Sequence, residues 1–142
     1  THYPLVKSIM QRYPDQVRLV SRYAAFHQGA KGAIKILESA RLQGVFEPVL
    51  ASLLASQATW NTQGGADLAK AWQIATQSGL DMKSAKRDAA QPMINDRLDQ
   101  ETRDVLAAGM RQAPMFFING RPLPKVSQQQ LIDQVRAEVM EL

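Results

Sequence analysis

The chain has 142 residues, 45% of them apolar, and sets 17 basic against 13 acidic side chains for a net charge of +4. This is enough apolar content for the core of one domain, but no stretch approaches the roughly 18–20 uninterrupted apolar residues of a membrane helix. Lys7, Arg12, Arg18, Arg22 and the later basic residues are scattered among acids, which describes a solvated surface rather than a nucleic-acid footprint, and the absence of cysteine excludes disulfides, thiolate catalysis and thiolate metal sites within these residues.

The opening "THYPLVKSIMQRYP" lacks the charged start and pure apolar block of a secretion signal, so no targeting segment is expected within this chain. Leu5, Val6, Ile9, Met10 and Tyr13 recur at helical spacing and predict an amphipathic helix over residues 3–13, ended by Pro14-Asp15. Val17 to about Tyr23 is short and rich in β-forming residues. It reads as a strand, and its near-continuous apolar content predicts burial on both faces.

A long helical block follows. Ala30, Ala33, Ile34, Leu37 and Ala40 form one stripe, ended by Gly44. Phe46, Val49, Leu50, Leu53 and Leu54 form a second. "NTQGG" reads as a loop, and without a following Lys-Ser/Thr it is not a phosphate loop. Leu68, Ala71, Trp72 and Ala75 form a third stripe, with Gly79 as a left-handed stop. Asp81 is placed to cap a short helix reaching about Ala90. Pro92 opens another that carries Ile94, Leu98, Val105 and Leu106.

Strand signals return at the end. Met115–Ile118 and Arg121–Leu123 flank Asn119-Gly120, the strongest short-range hairpin signal, because both turn positions need positive φ. Ser127 caps the last helix in a capping-box arrangement with Gln130, and Val126 and Leu131 flank it as a hydrophobic staple. Leu131, Ile132, Val135 and Val139 form its buried face. A buried strand at 17–23 needs a neighbour on each side, and the hairpin supplies at most one. Each unpaired buried backbone group costs ~1–3 kcal/mol, so the sheet reads as incomplete at the N-terminus.

The residues resemble a known family. "APMFFINGRPL" is similar to the stretch of small residue, cis-proline, aromatic strand and Asn-Gly hairpin found in DsbA-type thiol:disulfide oxidoreductases. "THYPLVKSIMQRYPDQVRLVSRYAAF" resembles the helix and strand after that family's active site, and "HQGAKGAIKILESARLQGVFEPVLASLLASQATW" resembles the first helices of its inserted domain. The resemblance implies an α/β chain with a thioredoxin-like fold and an inserted helical domain, its sheet incomplete at the N-terminus. Residues 1–27 and 108–142 would form the thioredoxin-like part and 28–107 the insertion.

The same resemblance implies a cis bond before Pro114. It also implies a substrate-binding rim made by Arg111, Gln112, Ala113, Pro114 and Met115, with His2 near the helix start. The backbone of Ala113 would pair with an extended substrate segment. The family's Cys-x-x-Cys would fall just upstream of Thr1, so the chain alone carries no catalytic residue, while an intact parent would be an enzyme. No organic cofactor or metal is implied. Partners would be protein or peptide thiols and a redox partner, in the periplasm or cell envelope, with the cytoplasm as the alternative. Neither nucleic acid nor a membrane span is implied.

Plainer accounts stand beside these. His2 fits a surface or capping histidine, and His27 a loop histidine; two histidines so placed make no metal site. Trp60 and Trp72 fit core packing. Asp and Glu show no catalytic pairing in the sequence. Two other functions compete: a glutathione-using relative of the same fold, such as a kappa-class transferase or an isomerase, and a non-catalytic peptide-binding module. Residues 1–142 alone are not expected to form an ordinary thioredoxin monomer. They would need an upstream piece, a rearranged sheet or a domain-swapped homodimer.

Overall fold

Pro4 stands in the first turn of helix α1 (Tyr3–Arg12), where its missing N–H had no helical partner to lose. The computed structural model describes residues 2–25, 29–111, 113–124 and 127–142. Thr1, Phe26, His27, Gln28, Gln112, Lys125 and Val126 lie outside the described residues, so the histidine reading at 27, the rim role of Gln112 and the staple at Val126 are not addressed by it. The Cα trace divides into two units, Thr1–Arg22 with Met110–Leu142, and Tyr23–Gly109.

After α1 the expected strand at Val17–Tyr23 does not form. Residues 17–25 carry neither helix nor ladder, and burial on both faces fails too: Leu19 is 40% and Val20 63% exposed. The physical reason is that a strand exists only with a partner. β-Forming side chains cannot satisfy the backbone by themselves.

The second unit is helical. α2 (Ala30–Leu42), α3 (Phe46–Ala55), α5 (Leu68–Gln77) and α7 (Pro92–Ala107) form where stripes were predicted, and α6 (Met82–Ala89) is the short helix expected after Asp81. Asp67 caps α5 by accepting from the N–H of Lys70 at 3.1 Å, and Asp81 caps α6 by accepting from the N–H of Lys83 at 3.2 Å. Gly44 and Gly79 both sit at positive φ after their helices. One core gathers Ile36, Val49, Leu53, Trp60 and Leu80 around the fully buried Ala40, Ala71, Ala75 and Ala85. Gly32 is part of this economy of size: a Cβ there would stand 2.5 Å from Leu68 Cδ1. A second cluster joins Ile34, Ile94 and Leu98 with Tyr23 and Ala25.

Three details differ from expectation. A four-residue helix, α4 (Gln57–Trp60), precedes the "NTQGG" stretch, and that stretch is not a bare loop. β1 (Asn61–Thr62) and β2 (Gly65–Ala66) pair antiparallel across it. Leu106 points to solvent rather than joining Val105 in the core, because the stripe of α7 has rotated past it by its last turn.

In the first unit, β3 (Phe117–Ile118) pairs antiparallel with β4 (Arg121–Pro122), each strand shorter than predicted. Asn119 and Gly120 take φ of 49° and 81°, as the two-residue turn demands. Ser127 caps α8 (Gln128–Met140) by accepting from the N–H of Gln130 at 3.1 Å. Ile9, Leu123, Leu131 and Val135 form this unit's buried core, with Leu5, Val6, Val17, Phe116, Ile118 and Val139 packed around it.

Candidate functional site

Phe116 fixes the loop that the sequence singles out. Its carbonyl accepts from the N–H of Leu123 at 2.8 Å, and its side chain packs on the core of the first unit. The ring of His2 meets it with centroids 5.8 Å apart and a tilt of 57°. His2 is the residue at the N-cap of α1, so the loop's downstream anchor lies against the N-terminal end of that helix.

That helix end is electrostatically open. Its first turn has no acidic residue, and His2 makes no side-chain capping bond. Within the described first turn and its cap residue, no acidic side chain offsets the partial positive charge of the macrodipole, about half an elementary charge. An anion or thiolate brought there is stabilised.

The six expected rim residues are placed as follows. Arg111, Ala113 and Pro114 are exposed, and Met115 is half-buried. The Ala113–Pro114 peptide bond is cis. His2 is half-buried and its ring contact is with Phe116, two residues beyond Pro114. Gln112 lies outside the described residues. Among the described residues no cluster of three His, Cys, Asp or Glu side chains could hold a metal. No helix among them is long and apolar enough to cross a membrane.

Beside this loop the first unit carries a groove of about 220 Å³, lined by Val6, Ile9, Val17, Leu19, Phe116 and Phe117 among others. Its floor is the apolar face shared by α1 and α8. At its rim Glu138 takes a hydrogen bond from the Asn119 amide at 2.8 Å and pairs with Arg121 at 3.1 Å, which ties the hairpin turn to α8.

Sequence reasoning missed a buried ionic cluster in the second unit. Glu38 is only 1% exposed. Its carboxylate accepts from the Tyr23 hydroxyl at 2.9 Å and from Arg41 Nε and Nη2 at 3.2 and 3.0 Å, with Arg97 Nε at 3.5 Å. Burial pushes the Glu38 carboxyl upward, but the bonds from Arg41 and Tyr23 and the two guanidinium charges outweigh it and hold the group below the ordinary carboxylate range. Burial, then the bond to Glu38, pushes the Tyr23 phenol up. The only sequence trace was an acid inside the apolar stripe of α2 with Arg41 three residues on; Tyr23 and Arg97 come from elsewhere in the chain.

No family model matches the chain. Among curated proteins it is similar to the Na(+)/H(+) antiporter NhaA of Herminiimonas arsenicoxydans, with 26% identity over 111 residues, covering 78% of this chain and 17% of the antiporter. The chain thus spans less than a fifth of that relative's length. Among solved structures it is similar to a thioredoxin-like oxidoreductase from Silicibacter pomeroyi DSS-3, with a TM-score of 0.78 and 26% identity, covering 96% of this chain and 76% of that one. The chain therefore has a thioredoxin-like fold with a helical insertion, the fold of a thioredoxin-like oxidoreductase.

Proposed function

We propose that this chain is the substrate-binding scaffold of a DsbA-type thiol:disulfide oxidoreductase acting on protein thiols. The observation that carries the reading is the contact of His2 with Phe116, which brings the Arg111–Met115 loop's anchor to the open positive end of α1. The likeness to a thioredoxin-like oxidoreductase over 96% of the chain supports it. The chain has no cysteine, so in this reading the exchanging dithiol belongs to polypeptide outside residues 1–142.

The chemistry is a pair of thiolate displacements. A substrate thiolate attacks one sulfur of the enzyme disulfide; that S–S bond breaks, a mixed disulfide forms, and the other enzyme sulfur leaves as a thiolate. A second substrate thiolate then attacks the substrate sulfur of the mixed disulfide, and the first enzyme thiolate leaves. Two electrons pass from substrate to enzyme. The residues here bind and position. Ala113 offers backbone to an extended substrate, Met115 offers apolar contact, and the first turn of α1 favours a leaving thiolate. In this role the protein would work in the periplasm or cell envelope and would need a partner to reoxidise it.

The test has two arms. Titrating residues 1–142 with a cysteine-alkylated peptide of reduced ribonuclease should shift the amide resonances of Arg111, Ala113, Met115 and His2. The polypeptide with its natural flanking sequence should oxidise a dithiol peptide. Loop shifts without oxidation would favour a non-catalytic peptide-binding module, and no loop shifts at all would end the scaffold reading.

A further inference from the structure

The buried carboxylate of Glu38 anchors two guanidiniums that reach water, and all three groups belong to the helical unit, Tyr23–Gly109. Arg41, one turn after Glu38 on α2, donates to it through Nε and Nη2 at 3.2 and 3.0 Å. Arg97 on α7 sets its Nε 3.5 Å from the same carboxylate. Both arginines keep donors in reserve. Their side chains are 43% and 50% exposed, and Nη1 of Arg41 and both Nη groups of Arg97 donate to no other described residue. The neighbouring acids of α7 are directed elsewhere. Glu101 accepts from the backbone N–H of Tyr23 at 3.3 Å, and Asp99 pairs with Lys31 at 3.5 Å. Asp96 precedes Arg97 and so projects roughly 100° away around the helix. With Glu38 ionised, the cluster presents one net positive charge to solvent.

We propose that Arg41 and Arg97 form a docking site for an acidic segment of a partner protein, whose aspartate or glutamate carboxylate accepts from the Nη groups that Glu38 leaves unused. Charge complementarity selects this occupant. One surplus positive charge is matched by one carboxylate, whereas a phosphorylated side chain, at about −1.5 to −2, would leave negative charge unmatched. The planar guanidinium fork suits a carboxylate. The arginines are also held before the partner arrives. The Tyr23 hydroxyl fixes the Glu38 carboxylate at 2.9 Å, and the carboxylate fixes Arg41, so less side-chain freedom is lost on binding than at an untethered surface arginine. Met93 is 70% exposed and stands one turn before Arg97 on the same face of α7, where it offers an apolar contact beside the charged pair. Arginine and methionine are both enriched at protein interfaces. The site uses residues of the helical unit alone and is independent of the redox reading.

Titrating the chain with the end-blocked peptide Leu-Glu-Glu-Leu, and separately with Leu-Gln-Gln-Leu, tests it by nuclear magnetic resonance of the arginine Nε–H groups. The expected result is saturable movement of the Arg41 and Arg97 signals with the acidic peptide, and binding of the neutral peptide weaker by about fivefold or more. Arg97→Gln should weaken the acidic peptide about fivefold. Arg103→Gln should leave it unchanged, because that exposed arginine of α7 is bonded to Gln100 at 2.8 Å and lies outside the cluster. Equal binding of the two peptides would overturn the proposal, as would arginine signals that do not move with the acidic one. So would sodium phosphate that moves the pair at the same concentration as the peptide, which would mark a general anion site rather than a protein contact. A loss with Arg103→Gln equal to that with Arg97→Gln would mean diffuse attraction to the helix and would overturn it too. The two peptides on the unaltered chain decide the matter even where Arg97→Gln disturbs the fold.

Discussion

Replacing Glu38 by Gln keeps the shape of a side chain that is almost wholly buried and removes its charge. The amide oxygen can still accept from Tyr23 and from one N–H of Arg41, but the second oxygen, which took Arg41 Nη2 at 3.0 Å and faced Arg97 at 3.5 Å, becomes a donor pointing at donors. A hydrogen bond to a charged group contributes about 1.5–3 kcal/mol. Both guanidiniums are near half-exposed, so water recovers much of what they lose. The expected net destabilisation is about 2 kcal/mol at neutral pH, a fall in melting midpoint of roughly 4–8 °C for a chain of this size. Both tryptophans, Trp60 and Trp72, lie in the same unit as Glu38, so urea unfolding followed by tryptophan fluorescence reads the affected unit. The difference must also depend on pH. The Glu38 carboxyl is depressed in the folded state, so its contribution is complete above the ordinary carboxylate pKa and is lost as pH falls through the lower folded value. Wild type and E38Q should converge in acid. A gap below about 0.5 kcal/mol at pH 7, or one that persists undiminished at pH 3, would refute the electrostatic account.

Other substitutions probe local geometry. Gly29→Ala should destabilise the second unit by about 2 kcal/mol, because φ is +84° and the new methyl would sit 2.6 Å from Ala66 Cβ; tryptophan-monitored unfolding measures it. Ser127→Ala removes the acceptor for the Gln130 N–H and should cost about 1 kcal/mol, read as faster amide exchange in the first turn of α8. Gly120→Val forces a β-branched residue to φ of +81° and should cost roughly 1–2 kcal/mol, with loss of the Asn119 amide contact to Glu138 visible by nuclear magnetic resonance.

Features written within a few residues were legible in the sequence. Asp81 and Ser127 cap the helices they were expected to cap, and Asn119-Gly120 turns the chain where its conformational freedom allows. The stripes of α2, α3 and α5 face cores because helical spacing and burial share one period. What depended on distant partners was not legible. Val17–Tyr23 has strand chemistry and no strand, since pairing is decided elsewhere. Glu38 drew no notice in the sequence because Tyr23 and Arg97, two of the three groups that close around it, are distant along the chain; only Arg41, on the same helix, is near. The loop at Arg111–Met115 was singled out by resemblance, and no residue spacing foretold that His2 would meet Phe116.

The helical unit is stitched together by Ala40, Ala71, Ala75 and Ala85, each with no exposed surface. Such residues have no rotamers to surrender on folding, so the seams between those helices form without the side-chain entropy loss that a leucine seam carries. The same economy narrows what can be added: a larger side chain at any of these four positions must displace the neighbours packed against it. Sequence drift in this unit is thereby channelled to its outer faces, and its helix spacing should outlast most of the side chains that decorate it.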